Sequence, residues 1–288
     1  MLCTALVFIA CNAAFGYYLL AIVPILSAAY APSVVSAIGS GILLLGAFQL
    51  LMFVTGWGAA PTGKFNQGVL ALSVGLPVNV AWWTMEQPSF LVPLVSTIGH
   101  FRAGGGFHPG VAVLCLFMAH YFQRAFIYPW LSRGRPYPLH TWASAMLFTA
   151  SNGTLQANWL LHGPPSQLDA SASYAPHAIA GYAVFAAGMF FNIQADAILR
   201  SLRKPGESAY KVPRGGLFEY VSGAHFVGEI IEWSGYALAS GASYAPLVFA
   251  AFNWLGIGTR AIATHDWNVE KFGAEYPKGR KRLIPFVW

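Results

Sequence analysis

The stretch Arg200–Trp233 reads R-S-L-R-K-P-G-E-S-A-Y-K-V-P-R-G-G-L-F-E-Y-V-S-G-A-H-F-V-G-E-I-I-E-W. Its first half is a loop punctuated by Pro and Gly, with five basic residues: Arg200, Arg203, Lys204, Lys211 and Arg214. Its second half is an apolar helix that carries His225, Glu229 and Glu232. Spacings of four and three put those three groups on one helical face. Ionisable groups in a lipid-spanning helix are costly and face the bundle interior or a wet cavity. A cationic loop feeding such a helix predicts a site for an anionic cofactor at one membrane surface.

Outward from this stretch, composition predicts an all-α polytopic membrane helix bundle. Of 288 residues, 56% are hydrophobic and 9% charged, with a mean hydropathy of +0.53. A soluble domain carries about 25% charged residues, so this chain lacks the polar surface to cover itself in water. Apolar runs of roughly 20 residues recur along it, as spanning helices require. They predict eight spans, near 2–27, 34–57, 69–98, 110–131, 141–161, 174–199, 217–240 and 244–263. The third contains Pro77, Pro88 and Pro93 and is expected to bend or break. No repeat appears, and no loop is long enough for a separate soluble domain.

The net charge of +6 is confined to a few loops, so topology explains it better than nucleic acid does. Loops after the second, fourth and sixth spans hold Lys64, Arg133, Arg135 and the five-residue cluster. Residues 271–282 add Lys271, Lys278, Arg280, Lys281 and Arg282, while the opposite loops carry Arg102. Positive residues collect on the cytoplasmic side, which places the even loops and the C-terminal tail there. Whether the first apolar segment spans, and so where the N-terminus lies, stays open. Cys3, Cys11 and Cys115 lie in apolar segments without C-x-x-C spacing and read as packing residues.

Several polar residues fall inside the apolar runs. Glu86, in W-W-T-M-E-Q-P-S-F, has two readings. Protonated, it donates a hydrogen bond to a substrate oxygen; ionised, it anchors a helix end at the interface beside Trp82 and Trp83. Tyr121, Arg124 and Tyr128 share a face through offsets of three, four and seven. A mid-membrane tyrosine or arginine needs a partner, so a satisfied structural network is the bland account of that stripe. Asn192 and Asp196 stand one turn apart, with Arg200 a turn further on. They form either a plain i,i+4 pair or a set aimed at ribose hydroxyls and phosphates. The eight histidines are scattered, so His225-x3-Glu229-x2-Glu232 lacks the further ligands of a metal site. Gly104-Gly105-Gly106 has no strand–helix context, and no P-loop or G-x-S-x-G elbow occurs.

Taken in order, eight short motifs resemble the steroid 5α-reductase family, closest to the steroid reductases proper. They are E-Q-P-S-F at Glu86, H-Y-F-Q-R at His120, R-G-R-P-Y-P at Arg133 and N-G-T-L-Q at Asn152. D-A-I-L-R-S-L-R-K-P-G-E follows at Asp196, then G-G-L-F-E-Y-V-S-G-A at Gly215 and G-E-I-I-E-W at Gly228. Y-P-K-G-R-K-R-L-I-P-F at Tyr276 closes the set, and the match runs from about Gly63 to Phe286. Each motif is weak alone; the ordered set is specific.

The resemblance implies a seven-helix membrane reductase domain over 34–288, with 1–33 an apolar segment outside that core. It implies NADPH held from the cytosolic side and a lipophilic 3-oxo-Δ4 steroid entering from the bilayer. Hydride passes to C5 of the steroid, the C3 ketone is polarised by Glu86 and Tyr121, and a proton is added at C4. For the cofactor it points to Ser132, Arg135, Asn192, Asp196, Arg203, Tyr210, His225, Glu229, Arg260, His265 and Asn268. His225 stands where the family has Asn, Asn268 where it has Tyr, and Ser132 where Asn is common. No metal is implied, and a monomer is expected. The membrane is that of the endoplasmic reticulum in a eukaryote or the inner membrane in a bacterium. Two other readings keep the bundle: a membrane methyltransferase using S-adenosylmethionine, and a non-catalytic sterol-binding protein. The first cofactor carries no phosphate, and the second reading needs neither the cations nor a Glu/Tyr pair.

Overall fold

Helices account for most of the described chain, and prolines and glycines set many of their ends. A computed structural model describes residues 31–56, 75–134, 136–163, 175–202, 207 and 209–288. Among these residues there are seven long helices. They are α1 (Pro32–Val54), α2 (Val78–Arg102), α3 (Pro109–Leu131) and α4 (Leu139–His162), then α5 (Pro176–Ser201), α6 (Ala224–Ala239) and α7 (Tyr244–Glu275). Prolines open α1, α3 and α5, where the missing N–H costs nothing and φ is already helical. His100 and Arg102 in the last turn of α2 complement its negative end. Two-residue strands β1 (Gly75–Leu76) and β2 (Tyr137–Pro138) pair antiparallel, Gly75 facing Pro138. The expected segment 2–27 lies outside the described residues.

Four helices, α1, α3, α5 and α7, are long and apolar enough to cross a membrane. The protein is a polytopic helical membrane protein. Of the others, α6 is short at 16 residues. The other two, α2 and α4, have the length but bury polar residues, among them Thr84, Ser89, Ser96, Thr149, Asn152 and Gln156.

Three boundaries differ from expectation. The third span does break at Pro77, where β1 gives way to α2, but α2 then runs unbroken through Pro88 and Pro93. Each proline frees a carbonyl one turn back. The carbonyls so freed are those of Thr84 and Ser89; between them Thr149 Oγ1 donates to Met85 O at 2.6 Å and ties the stretch to α4. The seventh span begins at Ala224 rather than Leu217. Gly215 and Gly216 take positive φ (90° and 52°) and set up a 3-10 turn over Gly216–Glu219. The last helix continues past Ala263 to Glu275, because its polar extension remains helical after the apolar run ends.

The described residues group into two compact units. The first holds those up to Ile42, those between 75 and 176, and Ser243–Ala245. Its centre is the α2–α4 pair, with α3 packed on both. A Cβ at Gly153 would stand 3.0 Å from Pro88 O, a tight contact that glycine relieves where α4 approaches α2.

The second unit holds 43–56, 177–242 and Pro246–Trp288. Glycines spaced seven apart, Gly181 and Gly188 on α5 and Gly228 and Gly235 on α6, form an antiparallel seam. A Cβ at these positions would collide with backbone at Ala239, Glu232, Asn192 and Phe185 respectively. A small apolar core of Ala195, Phe218, Val221, Ala224, Val227, Ile230, Ala261 and Leu283 lies at one end of it.

Candidate active site

In the first unit, α2 presents Trp82, Glu86 and Phe90 at i, i+4 and i+8, hence on one face. The outer two face α3: the Trp82 ring is 5.1 Å from that of Tyr128, and Phe90 is 5.8 Å from Phe122 and 5.3 Å from Phe126. Glu86, half-buried, is therefore carried on the α3 side of α2. Its backbone is pinned from the opposite side. Trp142 Nε1 donates to Thr84 Oγ1 at 2.8 Å, Thr149 Oγ1 to Met85 O, and Ser89 Oγ to Thr149 O at 3.0 Å. These bonds bracket Glu86 within one turn on either side.

On α3, Tyr121 is buried, its ring 4.7 Å from Phe117 and 5.0 Å from His120. Arg124 is buried too, its guanidinium 4.5 Å over the Tyr128 ring and 5.2 Å over Trp82. Desolvated contacts of this kind stabilise a cation by about 2 kcal/mol or more. That is the structural network expected for Arg124. The helix widens into a π turn at Gln123–Ile127, a local geometry frequent at functional sites. The N-G-T-L-Q motif also has a packing role: Gln156 Nε2 donates to Asn152 Oδ1 at 3.1 Å and to Ala245 O at 3.0 Å. At the end of α3, Ser132 is half-buried with its Oγ unpaired among the described residues. Arg135 lies outside the described residues.

In the second unit, the first turn of α6 gathers several predicted residues. Asn192, buried on α5, donates from Nδ2 to His225 O at 2.9 Å. Asp196 is buried one turn along α5. Arg260, on α7, sets its guanidinium 5.3 Å over the Phe226 ring. His225 and Glu229 are half-buried, and Glu232 is fully buried. A helix N-terminus with a buried amide, a buried carboxylate and an arginine beside it suits an anionic ligand that also carries hydroxyls.

His265 and Asn268 sit in a different arrangement. Tyr276 OH donates to Ser222 Oγ at 2.7 Å, and Ser222 Oγ lies 2.7 Å from His265 Nδ1. Asn268 Nδ2 donates to Tyr276 OH at 3.3 Å. Both residues are thus tied to the tail, which leaves the second ring nitrogen of His265 and, on Asn268, the amide oxygen and one N–H for other partners. Tyr210 is exposed and edges against Trp267 at 4.8 Å. Arg203 lies outside the described residues. Ser222 and Tyr276, which link this chain of bonds, lie within motifs that carry the resemblance, but neither residue type signals its role without its partners. Among the described residues, no group of three or more His, Cys, Asp or Glu is placed to hold a metal ion.

Residues 135–288 match the family described as 3-oxo-5-alpha-steroid 4-dehydrogenase. The chain is 43% identical over 228 residues to 3-oxo-5-alpha-steroid 4-dehydrogenase 2 of Sus scrofa, covering 78% of this chain and 87% of that protein. It is 41% identical over 231 residues to 3-oxo-5-alpha-steroid 4-dehydrogenase 1 of Bos taurus, covering 79% and 88%. Against 3-oxo-5-alpha-steroid 4-dehydrogenase 2 of Homo sapiens it is 42% identical over 228 residues, covering 78% and 87%.

Proposed function

The chain belongs to the 3-oxo-5-alpha-steroid 4-dehydrogenase family, and from that premise we propose that it reduces the Δ4 bond of a lipophilic 3-oxo-steroid with NADPH. Glu86 and Tyr121 donate hydrogen bonds to the C3 oxygen. As C5 gains a hydride, the C4–C5 π electrons move toward that oxygen, and two fixed donors stabilise the charge it gathers. The resulting enolate takes a proton at C4, which completes the saturated ketone. The observation that carries this reading is the bracing of Glu86: three side-chain bonds between α2 and α4 fix its backbone on the face that carries Trp82 and Phe90 to α3.

When bound, NADPH supplies the hydride. Asn192, Asp196, His225, Glu229 and Arg260 are the residues that would hold it, with Ser132, Arg135, Arg203, Tyr210, His265 and Asn268 completing the set. The donor types support the fit. Arginines suit pyrophosphate and the 2′-phosphate, a buried carboxylate suits ribose hydroxyls, and the α6 N-terminus adds backbone N–H groups. The lipid-exposed surface of the spanning helices supports entry of an apolar substrate from the bilayer. The basic loops support a cytoplasmic cofactor side.

The test is single-turnover reduction by purified protein, followed as loss of reduced-nicotinamide absorbance on adding a 3-oxo-Δ4 steroid. Removing one oxyanion donor costs about 10²–10³ in rate, so Tyr121→Phe should fall by that order with NADPH affinity nearly unchanged. Glu86→Gln keeps a donor and should be milder than Glu86→Ala. An unchanged single-turnover rate in Tyr121→Phe, with only thermal stability reduced, would leave Tyr121 a packing residue and sink the assignment.

A further inference from the structure

Residues 276–288 fold back along α7 instead of extending it. The reversal starts at Gly273, at φ 52°. Lys281 N then donates to Tyr220 O at 2.8 Å, Ser222 N donates to Lys281 O at 3.1 Å, and Val221 bridges Lys281. Leu283 is buried in the core formed with Val221, Ala224 and Ala261, and lies 3.8 Å from where a side chain at Gly258 would stand. Since Gly258 opens the stretch that ends at Phe272, the tail has returned about 20 Å at ~1.5 Å per residue.

That return sets the depth of the tail. From Tyr244 to Ile257 the helix has no charged residue, whereas the next fifteen include Arg260, Asp266, Glu270 and Lys271. Charge on this helix therefore begins at Arg260, within a turn of Gly258. On the other side, Val221 and Ala224 mark where the apolar α6 begins. Both neighbours of the tail thus place residues 284–288 where hydrocarbon gives way to water.

At that level the tail holds large apolar side chains outward. Phe286 is 75% and Val287 73% exposed, and Ile284, Trp288 and Tyr220 are exposed as well. They are held as a group. Leu283 N and Ile284 N donate to Trp288 O at 2.9 and 2.7 Å, and the Phe286 ring is 4.9 Å from Tyr220. Phe286 itself is left-handed, at φ 66°, a conformation disfavoured for a bulky residue. Basic residues flank the group: Lys278 and Arg282 are exposed and Lys281 is half-buried, with no acidic residue from 276 to 288. Arg282 also bonds Asp266 at 3.0 Å.

We propose that Tyr220 and residues 284–288 form a foot that rests on the bilayer surface. Its aromatic and aliphatic side chains enter the boundary between headgroups and acyl chains, and Lys278, Lys281 and Arg282 meet anionic headgroups. Aromatic side chains favour that boundary, and clustered cations there are drawn to anionic lipid. The basic flank selects an anionic lipid surface over a second copy of this basic chain as the occupant. The proposal is independent of the reaction above.

The test uses the full chain in nanodiscs of phosphatidylcholine, with or without phosphatidylglycerol, containing lipids brominated near the headgroup end. The chain has ten tryptophans, so the Trp288 signal is the difference between the parent protein and Trp288→Phe. That signal should be quenched by the brominated lipid, more strongly with phosphatidylglycerol, and shielded from acrylamide in water. Lys278→Gln/Lys281→Gln should lose the added effect of phosphatidylglycerol. A Trp288 that acrylamide quenches and brominated lipid does not overturns the proposal. So does a Trp288 shielded from both quenchers while Val287→Cys cross-links between chains, which would make the occupant a second copy. Should Trp288→Phe not be recovered, amide exchange of residues 284–288 decides instead: protection that fails to rise with bilayer anionic content overturns it.

Discussion

Arg280 shows how differently two arginines are held in this protein. Arg124 lies between aromatic faces within α3, whereas Arg280 sits in the returning tail with its side chain fully buried. It donates from Nη2 to Pro213 O at 2.7 Å and stacks 5.5 Å from the Tyr276 ring, with Glu219 no closer than 3.9 Å. Its Nε and Nη1 have no hydrogen-bond partner among the described residues. Arg280→Ala removes a charged hydrogen bond and should cost about 1.5–3 kcal/mol in thermal unfolding. Arg280→Met keeps the volume, discards a poorly matched cation and should cost less; an equal loss for both would show that the bond, not the packing, dominates. His108, before α3, is half-buried with both ring nitrogens shut away from solvent. Burial and the neighbouring His100 and His162 hold its pKa below the usual 6.5, so the fold favours the neutral ring. Stability from this preference is present above pH ~6.5 and is lost as pH falls, because the unfolded chain takes up the proton first. The melting temperature should decline through that window, and His108→Gln should flatten the decline.

Among elements, the α5–α6 seam makes the sharpest claim. A methyl group at Gly188 has nowhere to go but into the backbone of Glu232, so Gly188→Ala should cost about 1–3 kcal/mol by overpacking. Gly41→Ala, with nothing within 4 Å, is the control and should be neutral or mildly stabilising in a melting comparison. The seven-residue spacing of these glycines stands in the sequence, but the backbone each one faces does not. The unbroken α2 was not visible there. Pro88 and Pro93 argue for a break when α2 is read alone, and the supporting hydroxyl comes from Thr149, on α4. Helix identity and approximate limits were otherwise legible because runs of apolar residues need no partner to be recognised. Candidate residues were legible to the extent that their chemistry is intrinsic, as with Glu86, Asp196 or Arg260. The bond from Asn192 to the His225 carbonyl was not, since a backbone oxygen carries no sequence signature.

For the molecule as a whole, composition alone excluded a water-soluble fold, and the four long apolar helices agree with that. Family membership then assigns the chemistry class that neither composition nor helix packing could distinguish from another lipid-modifying bundle. The tail is the part that the sequence does not reveal. Its basic residues suggested a cytoplasmic fringe, yet Leu283, Tyr276 and Arg280 are structural members of the second unit. This has a consequence for synthesis. The ribosome releases α6 and the start of α7 well before residue 276, so Val221, Ala224 and Ala261 must wait, inserted in the membrane, for the side chain that covers them. Ser222 and His265 wait likewise for the Tyr276 hydroxyl. A chain ending ahead of Tyr276 would carry every described helix and leave the second unit open, a product that quality control could detect although no described span is missing.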